Sequence, residues 1–201
     1  MCFCCKGDLG NGDHHGLGAV PGKEADFLRS LGLAVKHAKA LDCSRIHLMA
    51  RRVPMGLDQA AAAAEEMHAI FLKNLTYAAN VLLKEGILGL VEPINTRITD
   101  PRYFLNVPHQ GNDIFLWQIM DGNLTQNIKT YSTVQKIGHI QIAQVPDRNE
   151  PDSQGEVNLQ YLFSLLEEMG YQVYIGCEYR PLVSNAEDGL GWLGEYWNSH
   201  K

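Results

Sequence analysis

Four short apolar runs, residues 46–50, 87–94, 137–145 and 171–178, alternate along this chain with stretches in which apolar residues recur at helical spacing. The runs are too short for helices, and the run ILGLVEPI is apolar almost throughout, the pattern of a strand buried on both faces of a parallel sheet. The spacing predicts a helix over 23–41, with Phe27, Leu31, Ala34, Val35 and Ala38 on one face. A second follows over 58–85, capped by Asp58, striped by Met67, Phe71, Leu75, Ala78 and Leu82, and stopped by Gly86. A weaker one is expected over 124–135. Asn158 caps another, with Leu159, Leu162, Phe163, Leu166 and Met169 as its stripe and Gly170 as its stop. The last covers 187–197 and carries Trp192, Leu193, Tyr196 and Trp197. Strand alternating with helix is the mark of a parallel α/β fold. Residues 1–22, dense in glycine, read as a loop and an atypical N-terminus, and residues 23–201 as one domain.

Charge and cysteine usage remove several classes of function. Lys and Arg number 17 against 23 Asp and Glu, a net charge of −6, so no basic excess exists to displace counterions from a nucleic acid. No apolar run approaches the ~18 residues that a membrane span needs. Lys6 and Asp8 interrupt the start before a signal peptide can form. Cys2, Cys4 and Cys5 crowd one end, far from Cys43 and Cys177, which suits neither a disulfide scaffold nor a zinc site. The expectation is a soluble, cytoplasmic protein.

Two parallel architectures compete, the open doubly wound sheet and the closed (β/α)8 TIM barrel. The first usually carries a glycine fingerprint between strand and helix, whereas GLGAVPG here precedes a helix but follows no strand. Polar residues at strand ends favour the barrel: Glu92 with Asn95, Gln141 with Gln144, and Glu178. A complete barrel takes about 250 residues, and residues 106–122 show no helical period. The expected fold is therefore an incomplete barrel, an unclosed parallel sheet with part of it missing around residues 106–122.

Glu92 ends ILGLVE and Glu178 ends VYIGCE. Buried there, each needs a cation to offset desolvation. As a pair they suit a proton shuttle, one carboxylate taking a proton from a carbon and the other returning one to its neighbour. Ordinary salt-bridged strand ends are the alternative. Asp113 and Gln141 can join them as oxygen ligands of a hard cation such as Mg²⁺ or Mn²⁺ that steadies an enediolate, although an Asp after QGN also suits a plain turn. His139 shares a strand face with Gln141 and suits substrate contact, with a core hydrogen bond as the alternative. Arg148 suits a substrate carboxylate, which guanidinium grips as a fork. No organic cofactor is implied.

GLGAVPG, IHLMA, LVEPINTRITDP, DIFLWQIMDGNLT, IGHIQIAQVPDRNEP and GYQVYIGCEYRP together resemble the hydroxypyruvate isomerases, in their animal form, from about Gly7 to the end. These belong to the xylose-isomerase-like barrels, with the sugar isomerases and epimerases. The resemblance implies reversible conversion of hydroxypyruvate, a hydroxy-keto acid, to 2-hydroxy-3-oxopropanoate (tartronate semialdehyde) through a cis-enediolate. It puts the active-site glutamates at Glu92 and Glu178, further metal-site positions at Asp113 and Gln141, and the carboxylate-contacting arginine at Arg148. It also implies strand–helix units where this chain has MCFCCKGD, a His at Leu116, and a Gly at Arg51. A shortened isomerase is expected. A related sugar isomerase or epimerase, and an inactive remnant acting only by binding, stay open.

Overall fold

A computed structural model describes residues 3–4, 16–54, 60–94, 96, 100–105, 123–133, 137–182 and 187–199. The strands among them are β1 (Phe3–Cys4), β2 (Arg45–His47), β3 (Leu88–Leu90), β4 (Ile140–Ile142) and β5 (Ile175–Cys177). The helices are α1 (Glu24–Ala40), α2 (Ala60–Glu85), α3 (Leu124–Thr133), α4 (Leu159–Glu168) and α5 (Gly191–Ser199), the last entered through a 3-10 turn at Asp188–Leu190. Every pairing in the two sheets, β1-β2-β3 and β4-β5, is parallel. The chain divides into two compact units, Met1–Leu124 and Thr125–Lys201.

In the first unit, α1 buries the stripe its spacing predicts, Phe27, Leu31, Ala34, Val35 and Ala38. It packs on α2, whose Met67, Phe71, Ala78 and Leu82 are buried, and on β2, whose Ile46 is fully covered. Burying side chains of this size contributes roughly 1.5–3 kcal/mol each. Gly86, at φ +66°, ends α2 in the left-handed conformation that glycine adopts without penalty.

Three readings are corrected here. Phe3–Cys4 is a strand, not loop, paired with Ile46 and His47; glycine density begins at Gly7 and says nothing about the residues before it. Leu88 is 48% exposed, so the run 87–94 is not buried on both faces. The strands are also shorter than the apolar runs, because periodicity reports burial and not strand pairing. Past β2 the chain stays buried through Leu48, Met49 and Ala50; Leu48 N–H still donates to Leu90 O of β3 at 2.7 Å, and the next two carbonyls turn elsewhere. Gly18 and Ala19 donate to the carbonyls of Met49 and Ala50, both at 3.0 Å. The segment comes so close that a Cβ on Gly16, at φ +99°, would overlap Met49, and the buried Asn74 amide donates to the Gly18 carbonyl at 2.8 Å.

On the other side of this stretch, Phe104 N–H donates to Arg51 O at 2.8 Å and Val53 N–H to Arg102 O at 2.7 Å. Tyr103 accepts the Ala50 N–H on its hydroxyl, and Arg52 Nε meets the buried Asp100 carboxylate at 2.6 Å. Arg51 takes φ +142° to make these contacts, a conformation suited to the glycine expected at that position.

In the second unit, Asn158 caps α4 as expected, its Oδ1 accepting the Tyr161 N–H at 3.0 Å. Leu159 and Phe163 bury against Trp192 of α5, whose ring stacks on Phe163 with centroids 6.1 Å apart. Trp192 donates from Nε1 to the Tyr179 hydroxyl, which donates to Gly189 O. Tyr196 donates to Glu167 at 2.6 Å; desolvation, then that hydrogen bond and the nearby negative charge, push its phenol up to about 12. Leu193 faces outward instead of joining the α5 stripe. Asp58 and Trp197 lie outside what is described, Trp197 in its side chain only.

Candidate active site

Strand register puts each glutamate beside a polar partner, in the same relation in both units. His47 pairs with Leu90, and Glu92 lies two residues past Leu90. Side chains two apart share a face, and His47 Nε2 lies 3.8 Å from Glu92 Oε2, with both side chains largely buried. In the second unit Gln141 pairs with Gly176, and Glu178 lies two residues past Gly176. His47 and Gln141 thus hold equivalent register positions relative to the two glutamates. The first unit contributes Glu92 with His47; the second contributes Glu178 with Gln141, His139 and Arg148.

Gly176 explains how His139 and Gln141 share their face. A Cβ there would come within 3.1 Å of His139 Nε2 and 3.3 Å of Gln141 Cγ, so the missing side chain is the space those two groups use. Glu178 is half exposed, and its carboxylate meets Arg148 Nη2 at 2.9 Å. That guanidinium also donates to the Glu178 carbonyl at 3.2 Å. Contrary to expectation, Glu178 is thus not buried, and Arg148 pairs with it at the surface. Next door, burial pushes the Cys177 thiol up, which keeps it protonated near neutral pH and disfavours it as a nucleophile.

Asn95 and Asp113 lie outside the described residues, as does Leu116. Among the described residues no three His, Cys, Asp or Glu side chains group as a metal site. Taken singly, Glu92 in the first unit and Gln141 and Glu178 in the second offer the oxygen donors that a hard divalent cation takes. The sequence did not reveal the roles of His47 or Gln144. Each left only a faint sign, His47 as one of two histidines within the apolar runs and Gln144 as a polar residue at a strand end.

Parallel strands with carboxylates and their partners just past the C-terminal ends define an enzyme of the α/β-barrel class. Residues 2–196 match the xylose isomerase-like TIM barrel family, and the chain belongs to it. A Danio rerio protein named "Putative hydroxypyruvate isomerase" is 57% identical over 208 residues, covering 96% of this chain and 74% of its own. A 2-oxo-tetronate isomerase from Cupriavidus necator is 40% identical over 205 residues, covering 94% of this chain and 75% of its own. Among solved structures, an AP endonuclease of family 2 from Brucella melitensis superposes with a TM-score of 0.81 at 37% identity, over 98% of this chain and 78% of that one. No described helix is long and apolar enough to cross a membrane.

Proposed function

We propose that this isomerase interconverts hydroxypyruvate and 2-hydroxy-3-oxopropanoate, with Glu92 and Glu178 as its acid–base pair. The observation that carries the reading is the repeated register: one glutamate per unit, each two residues past the partner of a polar strand residue. One carboxylate removes a proton from the hydroxymethyl carbon, giving a cis-enediolate. The other delivers a proton to the former ketone carbon while the hydroxyl proton passes between the two oxygens, so the product is an aldehyde beside a secondary alcohol. No atom is gained or lost.

Arg148 receives the substrate carboxylate, exchanging its contact with Glu178 for a fork to the ligand and freeing that glutamate to act. His139 and Asn95 contact the substrate's oxygens. Glu92, Gln141 and Glu178, with Asp113, would hold Mg²⁺ or Mn²⁺, whose charge would stabilise the enediolate oxygens. The relative named for 2-oxo-tetronate supports a second reading, a longer 2-oxo acid handled by the same groups. Comparing kcat/KM for the two acids decides between them.

Glu92→Gln and Glu178→Gln keep shape and hydrogen bonding but remove the titrating group. Each is expected to lower kcat by about 10²–10⁴-fold, the usual contribution of general acid–base catalysis, with the circular dichroism spectrum unchanged. The assay follows tartronate semialdehyde formed from hydroxypyruvate. Parent-rate turnover by Glu92→Gln would remove it from the pair.

A further inference from the structure

Arg148 sits in a loop whose shape is set by one buried side chain. Gln144 is 4% exposed. Its Nε2 donates to Val157 O at 3.0 Å and Ser153 O at 3.2 Å, with Pro151 O at 3.5 Å sharing the second proton. Its Oε1 accepts the N–H groups of Val145 and Val157, both at 3.0 Å. The Gln144 backbone closes the same loop, donating to Asn149 O at 3.0 Å and accepting the Arg148 N–H at 2.9 Å. Where the chain crosses this side chain it carries Gly155, whose Cβ would overlap Gln144 Cγ and Cδ.

The loop shaped in this way docks on the segment after β5. Arg180 N–H donates to Arg148 O at 2.6 Å, and Leu182 N–H to Glu150 Oε1 at 2.9 Å. Together with the contact between Arg148 and Glu178, these bonds fix the arginine from both sides. Arg148 itself takes φ +60°, a conformation that an L-residue keeps only when its surroundings impose it.

We propose that Gln144 is a positioning residue: its amide holds the 144–157 loop in the one shape that presents Arg148 to the substrate carboxylate. The inference rests on the reading of Arg148 given above. Only a neutral amide satisfies the site, because the head must donate to carbonyls on one side and accept N–H groups on the other. Methionine fills the volume and does neither. Glutamate accepts on both sides, and can donate only when protonated.

The test uses the full chain with Gln144→Met, Gln144→Glu, Arg148→Met and the double variant Gln144→Met/Arg148→Met. It measures kcat and KM for hydroxypyruvate, and hydrogen exchange at the Arg148 and Arg180 amides without substrate. Gln144→Met is expected to raise KM about tenfold, the scale of a misplaced binding group, while kcat moves much less. Both amides are expected to exchange faster. With Arg148 already replaced, Gln144→Met is expected to add nothing to KM, because two residues acting through one contact are not additive. For Gln144→Glu, the KM ratio to parent is expected to shrink as the pH falls and the carboxyl regains a proton to donate.

Failures separate cleanly. An Arg148→Met KM equal to the parent's overturns the reading of Arg148, and this inference with it. A raised Arg148→Met KM with an unchanged Gln144→Met KM, a fully additive double variant, or unaltered amide exchange overturns this inference alone.

Discussion

Arg51 combines a long side chain with a backbone angle, φ +142°, that suits glycine. The chain accepts it because the Arg51 carbonyl is committed to Phe104 and the neighbouring Ala50 N–H to Tyr103. Such a residue costs of order 1–3 kcal/mol, and glycine returns part of the difference by loosening the unfolded chain, about 0.5–1 kcal/mol. Arg51→Gly is therefore expected to raise stability by about 1 kcal/mol, read as a higher urea midpoint at unchanged slope. A lower midpoint would show that the side chain's contacts outweigh the backbone. This position was legible beforehand through the expected glycine. Gln144 was not: it stood out only as a polar strand-end residue, and its bonds depend on how a loop folds back thirteen residues later, at Val157. His47 was hidden for a similar reason, since its place beside Glu92 follows from the register of two strands.

Helices read from the sequence keep their places, whereas each strand is shorter than its apolar run, and only β4 sits at the centre of one. Apolar spacing and capping are local, so α1 and α4 could be bounded within a residue or two from Glu24, Asn158 and Gly170 alone. Strand limits depend on which neighbour the backbone bonds to. Past Leu48 the chain exchanges sheet pairing for bonds from Gly18 and Ala19, which no periodicity announces. The cap on α4 gives a direct measure of local coding. Asn158→Ala removes the acceptor for the Tyr161 N–H and is expected to cost about 1 kcal/mol, within the ~0.5–2 kcal/mol range for N-caps. Chemical denaturation measures it. Asn158→Ser or Asn158→Asp is expected to recover most of the loss, which a packing defect would not allow.

At the scale of the whole chain, each unit brings one glutamate and one polar partner in the same register. In the reaction proposed above, both glutamates serve one proton transfer. Glu92→Gln and Glu178→Gln together are accordingly expected to cost little more than either alone, since groups serving one transfer are lost together. A double variant whose losses multiply would assign the two residues to separate steps. The family was legible because its motifs are contiguous in sequence. The two-unit division was not, being a property of long-range contacts. The second unit also combines two kinds of restraint on Arg148 that respond differently to solution conditions. Its contact with the half-exposed Glu178 is charged and weakens as ions screen it, whereas the buried amide that shapes its loop carries no charge. Raising ionic strength thus slackens the guanidinium's hold on the glutamate while the loop keeps its form; on the reading of Arg148 proposed above, salt tunes how readily the arginine changes partners without altering where it stands.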